Sequence, residues 1–286
     1  MPAALLVAGL LASLSGCSTA QRPPAGVTVR IFQNRVDYAD RVLEVSVSNA
    51  GPTSLDLRSA RFDSTRFIAA AVWTTRLRLE PGMTRDLRVH LAPTSCTDLT
   101  APTDTVALDT VTLDWVGPGG SSGSGSATFP AVDDSGALNR IQDEDCLADA
   151  LTSVVSVAVS PELRVDGTGP ASRAWLDLSL TPTGAPGTVT IDQVGATVLL
   201  ASADGLDWPV GRTLDATTPT ERLSLALRPT RCDPHAIAED KRGTVFPLRV
   251  HITVGPGAPR RSGDWDLAVD DALRARLYAW IADRCG

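Results

Sequence analysis

Lysine is nearly missing: Lys241 is the only one in 286 residues. No stripe of basic side chains with interleaved aromatics occurs. The formal net charge is −7 and the pI about 5.0, so the overall field repels nucleic acid. Histidine numbers only 3. No Gly-x-Ser-x-Gly, His-Glu-x-x-His or dinucleotide glycine pattern is present. The glycine-rich run Gly117 to Ser126 is not followed by Lys-Ser or Lys-Thr, so it reads as a flexible loop rather than a phosphate cradle. No two cysteines stand at Cys-x-x-Cys spacing, which argues against a thiolate metal site. Beyond the N-terminal stretch no run of about 18 apolar residues exists, so no second membrane span is expected. These absences predict a chain that is not an enzyme and has no cofactor, no metal and no nucleic-acid partner.

What is present is a repeated design. Leu87 to Cys96 reads Leu-Arg-Val-His-Leu-Ala-Pro-Thr-Ser-Cys, and Leu223 to Cys232 reads Leu-Ser-Leu-Ala-Leu-Arg-Pro-Thr-Arg-Cys. In each, apolar residues alternate as on a half-buried strand, Pro-Thr stops the strand and a cysteine follows. A second echo lies further on: Ala131-Val132-Asp133-Asp134 and Ala268-Val269-Asp270-Asp271 each lead into a helical pattern ending in a cysteine. The aspartate pairs read as helix caps, because an N-cap carboxylate satisfies free backbone N–H groups.

The chain opens with an apolar run, Ala3 to Ser15, too short for a permanent span and suited to a signal-peptide core. It ends in Leu14-Ser15-Gly16-Cys17. These four residues resemble the lipobox of bacterial lipoproteins, although the usual Lys or Arg before the apolar core is missing. The resemblance implies that residues 1–16 are removed and that Cys17 carries the lipid at the new N-terminus. It also implies an extracytoplasmic address, held to the membrane by that lipid. Residues 17–26, polar and with Pro23-Pro24, then read as a tether.

From Val27 the hydrophobic period is two. Val27, Val29 and Ile31 alternate with polar neighbours, as do Leu43, Val45 and Val47, and later Leu176, Leu178 and Leu180. Many short strands separated by turn signals predict an all-β chain with two β-sandwich domains, each closed by a short C-terminal helix. The expected boundaries are 27–146 and 147–286. The pattern resembles tandem immunoglobulin-like sandwiches, without the antibody-type Cys and Trp spacing, so strand order stays open. Trp73 and Trp208 take matching places in the two repeats and are expected in the cores.

Four cysteines remain after Cys17, and four allow three connectivities. The repeat selects Cys96–Cys146 and Cys232–Cys285, separated by 50 and 53 residues. Each bond is worth about 4 kcal/mol by loop entropy, and an exported setting favours its oxidation.

The repeats diverge after the strand-ending cysteine. The second copy runs Asp233-Pro234-His235-Ala236-Ile237-Ala238-Glu239-Asp240-Lys241-Arg242-Gly243-Thr244, dense in ionisable groups. This dozen residues resembles a stretch of actinobacterial secreted proteins and lipoproteins to which no activity attaches. Three readings stay open. A solvated loop would begin with a turn at Asp233-Pro234, pair Glu239 and Asp240 with Lys241 or Arg242, and place Gly243 at positive φ. A recognition surface would present Asp233, His235, Glu239, Asp240, Lys241 and Arg242 to an envelope protein or cell-wall ligand. A metal-binding or hydrolytic centre would use His235 with Asp233 or Glu239, but a nucleophile or full ligand set is missing locally. The reading that follows from the whole chain is a binding or structural role in the cell envelope without catalysis.

Overall fold

The computed structural model describes residues 23–38, 40–96, 109–116, 124–240, 242–255, 257–258 and 260–286. The expected signal segment, Cys17, the first part of the expected tether and Lys241 lie outside the described residues. The chain divides into two compact units.

The first unit is a sandwich of two antiparallel sheets. One sheet has the order β1 (Val27–Phe32), β2 (Val42–Asn49), β6 (Thr84–His90). The other runs β4 (Ala71–Trp73), β3 (Leu55–Asp63), β7 (Thr110–Val116), β8 (Gly125–Pro130), with β5 (Leu77–Leu79) also on β3. Alternation builds this core: Leu43, Val45 and Val47 of β2 and Val111 and Leu113 of β7 are all essentially inaccessible. A fully buried aliphatic side chain gains roughly 1.5–3 kcal/mol over an exposed one, so such positions fix the register of the strands.

The second unit repeats the plan. One sheet has the order β10 (Arg164–Asp166), β11 (Arg173–Pro182), β15 (Glu221–Pro229), β13 (Leu200–Ser202), with β9 (Val155–Val159) also on β11. The other has β14 (Trp208–Asp215), β12 (Thr188–Val194), β16 (Val245–Thr253), β17 (Arg261–Ala268). The strand after the first hairpin crosses to the opposite sheet in both units, the immunoglobulin-like arrangement. Trp208 is buried as expected and donates its indole N–H to Ala226 O at 2.8 Å. Trp73 is only half-buried, because β4 is a short edge strand.

Among the described residues three α-helices accompany the strands: α1 (Ala137–Val154), α2 (Pro234–Ala238) and α3 (Asp271–Cys285). The expected boundary between residues 146 and 147 falls inside α1. Past Cys146 this helix places Leu147, Ala150, Leu151 and Val154 in the core of the second unit. Grouped with that unit are Arg66–Ile68 and the stretch beginning at Pro93. Ile68 N donates to Pro93 O at 3.0 Å and Ser95 N to Arg66 O at 2.7 Å, while Arg66 reaches Gln142 and Thr94 reaches Asp145 on α1. Both disulfides form in the pairing that the repeat predicts, Cys96–Cys146 and Cys232–Cys285. No helix among the described residues is long and apolar enough to cross a membrane.

Candidate functional site

The segment after Cys232 is an ordered element. Asp233 has extended backbone and its carboxylate accepts from His235 N at 2.9 Å, so it is the N-cap of α2, with Pro234 in the first turn where its missing N–H costs nothing. The expected turn is therefore a short helix. Ala236 and Ile237 pack against the core of the second unit, which sets α2 down on its apolar side. Its polar side is exposed and carries His235 and Glu239.

Asp240 holds the far end. Its Oδ1 accepts from Arg242 N at 3.1 Å and from Gly243 N at 2.5 Å, and its Oδ2 accepts from the Tyr278 hydroxyl of α3 at 2.6 Å. Burial first, and then the Asp240 carboxylate, push the Tyr278 phenol up to about 12, so it stays a donor at any physiological pH. Arg242 pairs with Asp266 on β17. Glu239 and Asp240 therefore do not pair with Arg242, because Asp266 and two backbone N–H groups claim the partners. Gly243 does not take the expected positive φ. Glycine is required there for space: a Cβ would stand 2.7 Å from both Asp240 Oδ1 and Leu199 Cγ. The Cys232–Cys285 bond fixes the near end, and Arg231 lies 3.6 Å from the Asp233 carboxylate.

The result is a loop braced at both ends by covalent, capping and charge-assisted bonds. It leaves the His235 imidazole and the Glu239 carboxylate outward, without a partner among the described residues. Asp233 engages a backbone N–H and Arg231 instead of the imidazole. Among the described residues no three His, Cys, Asp or Glu side chains gather in a group that could hold a metal. A loop held in this way has little conformational entropy left to lose.

The structure also assembles a cluster that sequence reasoning missed. On the outer face of the β14-β12-β16-β17 sheet, His251 Nε2 lies 2.8 Å from Asp192 Oδ2 and His251 Nδ1 lies 2.6 Å from Ser262 Oγ. His251 and Ser262 face each other across the β16–β17 hairpin, a register that Gly255 and Gly257 at its turn could have suggested. Asp192 lies at an irregularity between Ile191 and Gln193, which nothing in the sequence signals. The carboxylate fixes the imidazole tautomer, but Ser262 sits on an open sheet surface where water competes for every bond. His90, the third histidine, is exposed on β6.

A groove of about 430 Å³ runs between β9 and β17 in the second unit, lined by Val157, Val159, Trp265, Leu267 and Leu273. The first unit has one of about 330 Å³ beside Arg30, Phe32 and Asp134. The α2 loop lines neither.

No family model matches the chain, and no curated protein does. Several solved structures align with it at low similarity. A crystal structure of the calcium binding domain CBD12 of CALX1.1 is 14% identical, with 83% of this chain and 79% of that one covered and a TM-score of 0.20. Red sea bream transglutaminase is 11% identical over 86% of this chain and 32% of its own, with a TM-score of 0.21. A protein of unknown function from Porphyromonas gingivalis W83 is 14% identical, covering 80% and 90%, at a TM-score of 0.16. Likeness at this level carries no argument about fold or function.

Proposed function

We propose that this chain is a lipid-anchored extracytoplasmic binding protein of the cell envelope, non-catalytic, with the α2 loop as its recognition surface. The carrying observation is the bracing of that loop. Asp233, Asp240, Tyr278, Arg242 and the Cys232–Cys285 bond all hold backbone or scaffold, while His235 and Glu239 remain outward. A loop that is merely solvated needs no such set of fixings, whereas a recognition loop gains affinity from each. Two disulfides fit an oxidising, extracytoplasmic compartment. The Leu14-Ser15-Gly16-Cys17 stretch supports lipidation at Cys17, and the residues that follow support a tether.

The partner is an envelope protein or a cell-wall ligand. The test is crosslinking in cells expressing the full chain, or its His235→Ala/Glu239→Ala form, followed by identification of what co-purifies. A specific envelope component that is captured by the native chain and lost in the variant supports the reading. Equal capture by both forms removes the loop from it, and turnover of a cell-wall substrate by the purified chain removes the non-catalytic part. Incorporation of an alkyne-labelled fatty acid that disappears in Cys17→Ala checks the anchor separately.

A further inference from the structure

The two disulfides take matching places in the two repeats and meet solvent differently. Cys146 is 1% exposed on α1, and its partner Cys96 is half-buried. Cys232 is exposed, and its partner Cys285 is half-buried in the last turn of α3. Exchange begins when a thiolate reaches a disulfide sulfur, so access decides which bond opens first.

The surroundings also decide what opening would release. α3 does not depend on its disulfide for its seat. Leu273, Leu277, Trp280 and Ile281 lie in the core, the Trp280 indole N–H donates to Ser172 Oγ at 3.1 Å, and Asp283 accepts from Gly169 N at 2.6 Å. The α2 loop keeps its Asp240–Tyr278 bond at the far end. What the open form loses is the covalent pin where the loop begins.

We propose that Cys232–Cys285 is a thiol-exchange site, that its redox state sets the order of the 233–243 loop, and that its co-reactant is a protein dithiol outside the cytoplasm. The consequence for binding rests on the reading of this loop as the recognition surface. One thiolate of the dithiol attacks Cys232 Sγ, the S–S bond breaks, and Cys285 leaves as thiolate and takes a proton from water. The second thiol of the dithiol, deprotonated, attacks the mixed disulfide and releases Cys232. This chain gains two electrons and two protons, and the dithiol becomes a disulfide.

The experiment uses the native chain, folded and without denaturant. It is treated with graded dithiothreitol, and in parallel with a reduced Cys-x-x-Cys oxidoreductase, then alkylated and mapped by mass spectrometry. Cys232 and Cys285 are expected to be labelled at reductant concentrations about tenfold or more below those that label Cys96 and Cys146. Amide hydrogen exchange should rise across 233–243 and stay unchanged in β11 and β16. Simultaneous opening of both bonds, or earlier opening of Cys96–Cys146, overturns the proposal, as does selective reduction without faster exchange in the loop. Reduction by dithiothreitol alone overturns the protein-dithiol assignment. A Cys232→Ser/Cys285→Ser variant should show the faster loop exchange without any reductant. Exchange is read with no partner present, so its failure is separate from a failure of the oxidised chain to capture one.

Discussion

The two repeats carry the same Ala-Val-Asp-Asp stretch and use it differently. In the second, Asp270 is the N-cap of α3 and its carboxylate accepts from Leu273 N at 2.7 Å. In the first, Ser135 and Gly136 stand between the aspartates and α1. Gly136 takes the cap position at φ 67 with no side-chain bond, Asp134 pairs with Arg30, and Asp133 accepts from Ser135 Oγ at 3.0 Å. The helix that follows differs too: α3 ends at its cysteine, whereas α1 continues past Cys146 into the second unit's core. A duplicated motif predicts local geometry only while its spacing to the next element is kept.

The sharpest way to break this comparison is at Leu151, which is fully buried in the part of α1 that has no counterpart in α3. Leu151→Ala should destabilise the second unit by about 2–5 kcal/mol, the cost of a core cavity. Urea unfolding monitored through Trp208, Trp265 and Trp280 measures it. A loss under about 1 kcal/mol would mean that the extension is decoration.

The cap comes next. Asp270→Ala should cost about 0.5–2 kcal/mol, because Leu273 N loses its acceptor at the buried end of a 15-residue helix. Asp134→Ala, in the matching Asp-Asp pair of the first repeat and one position past the counterpart of Asp270, removes an exposed ion pair with Arg30 and should cost about 0–1 kcal/mol. Equal costs would restore the symmetry that the structure denies.

Most of the scaffold was legible in the sequence because it follows from period-two alternation. β1, β2, β6, β11 and β15 all carry Val, Leu or Ile at alternate positions, and each overlaps the alternating run that announces it. β14 and β17 were not legible. β14 carries Pro209 and Gly211, and β17 has polar side chains or glycine at most of its positions, since as edge strands they bury little. Cysteine pairing was readable because the repeat supplied a constraint that four cysteines alone lack. The loop was located by its divergence from the first copy, but its bracing was not, because Tyr278 and Asp266 are 38 and 24 residues from their partners Asp240 and Arg242. The assignment of Asp240 to backbone N–H groups also depends on a fold that the charges themselves do not encode.

The loop after Cys232 carries the next effect; Asp104 stands as far beyond Cys96 as Asp240 does beyond Cys232, but it lies outside the described residues, so the test is made in the second repeat. Tyr278→Phe removes one hydrogen-bond donor from Asp240 and should cost about 1 kcal/mol. It should also raise hydrogen exchange at 239–243, with β16 unaffected. The Tyr278 pKa is raised in the fold, so this bond's contribution is complete below pH 10 and lost as the pH rises towards about 12. The native protein should show that loss and the Phe variant should not.

The smallest expected effect opposes the two units most directly. Glu44 sits between Leu43 and Val45 of β2, and Asp177 sits between Leu176 and Leu178 of β11, the same place in the repeat. Glu44 is buried beneath the 3-10 turn Arg35–Asp37, with buried Asp37 beside it and Arg88 of β6 serving both carboxylates. Desolvation, then Asp37, raise its pKa above the ordinary 4.5, and Arg88 partly offsets them. Asp177 is half-buried; hydrogen bonds from Arg164 and then from Ser224, outweighing the opposing desolvation, lower its pKa below the ordinary 3.8. The signs of linkage are therefore opposite. Glu44 stabilises its unit fully below its unfolded value, and that contribution is lost as pH rises through the raised folded value. Asp177 stabilises its unit above 3.8, and that contribution is lost as pH falls through the lowered value. Glu44→Gln should therefore flatten the pH dependence of the first unit above 4.5 and leave the second unchanged, while Asp177→Asn should flatten only the acid limb of the second. Unit-resolved hydrogen exchange between pH 3 and 8 reads both. If Glu44→Gln leaves the first unit's slope intact, Arg88 neutralises the pair completely and the two repeats hold this position in the same ionised state.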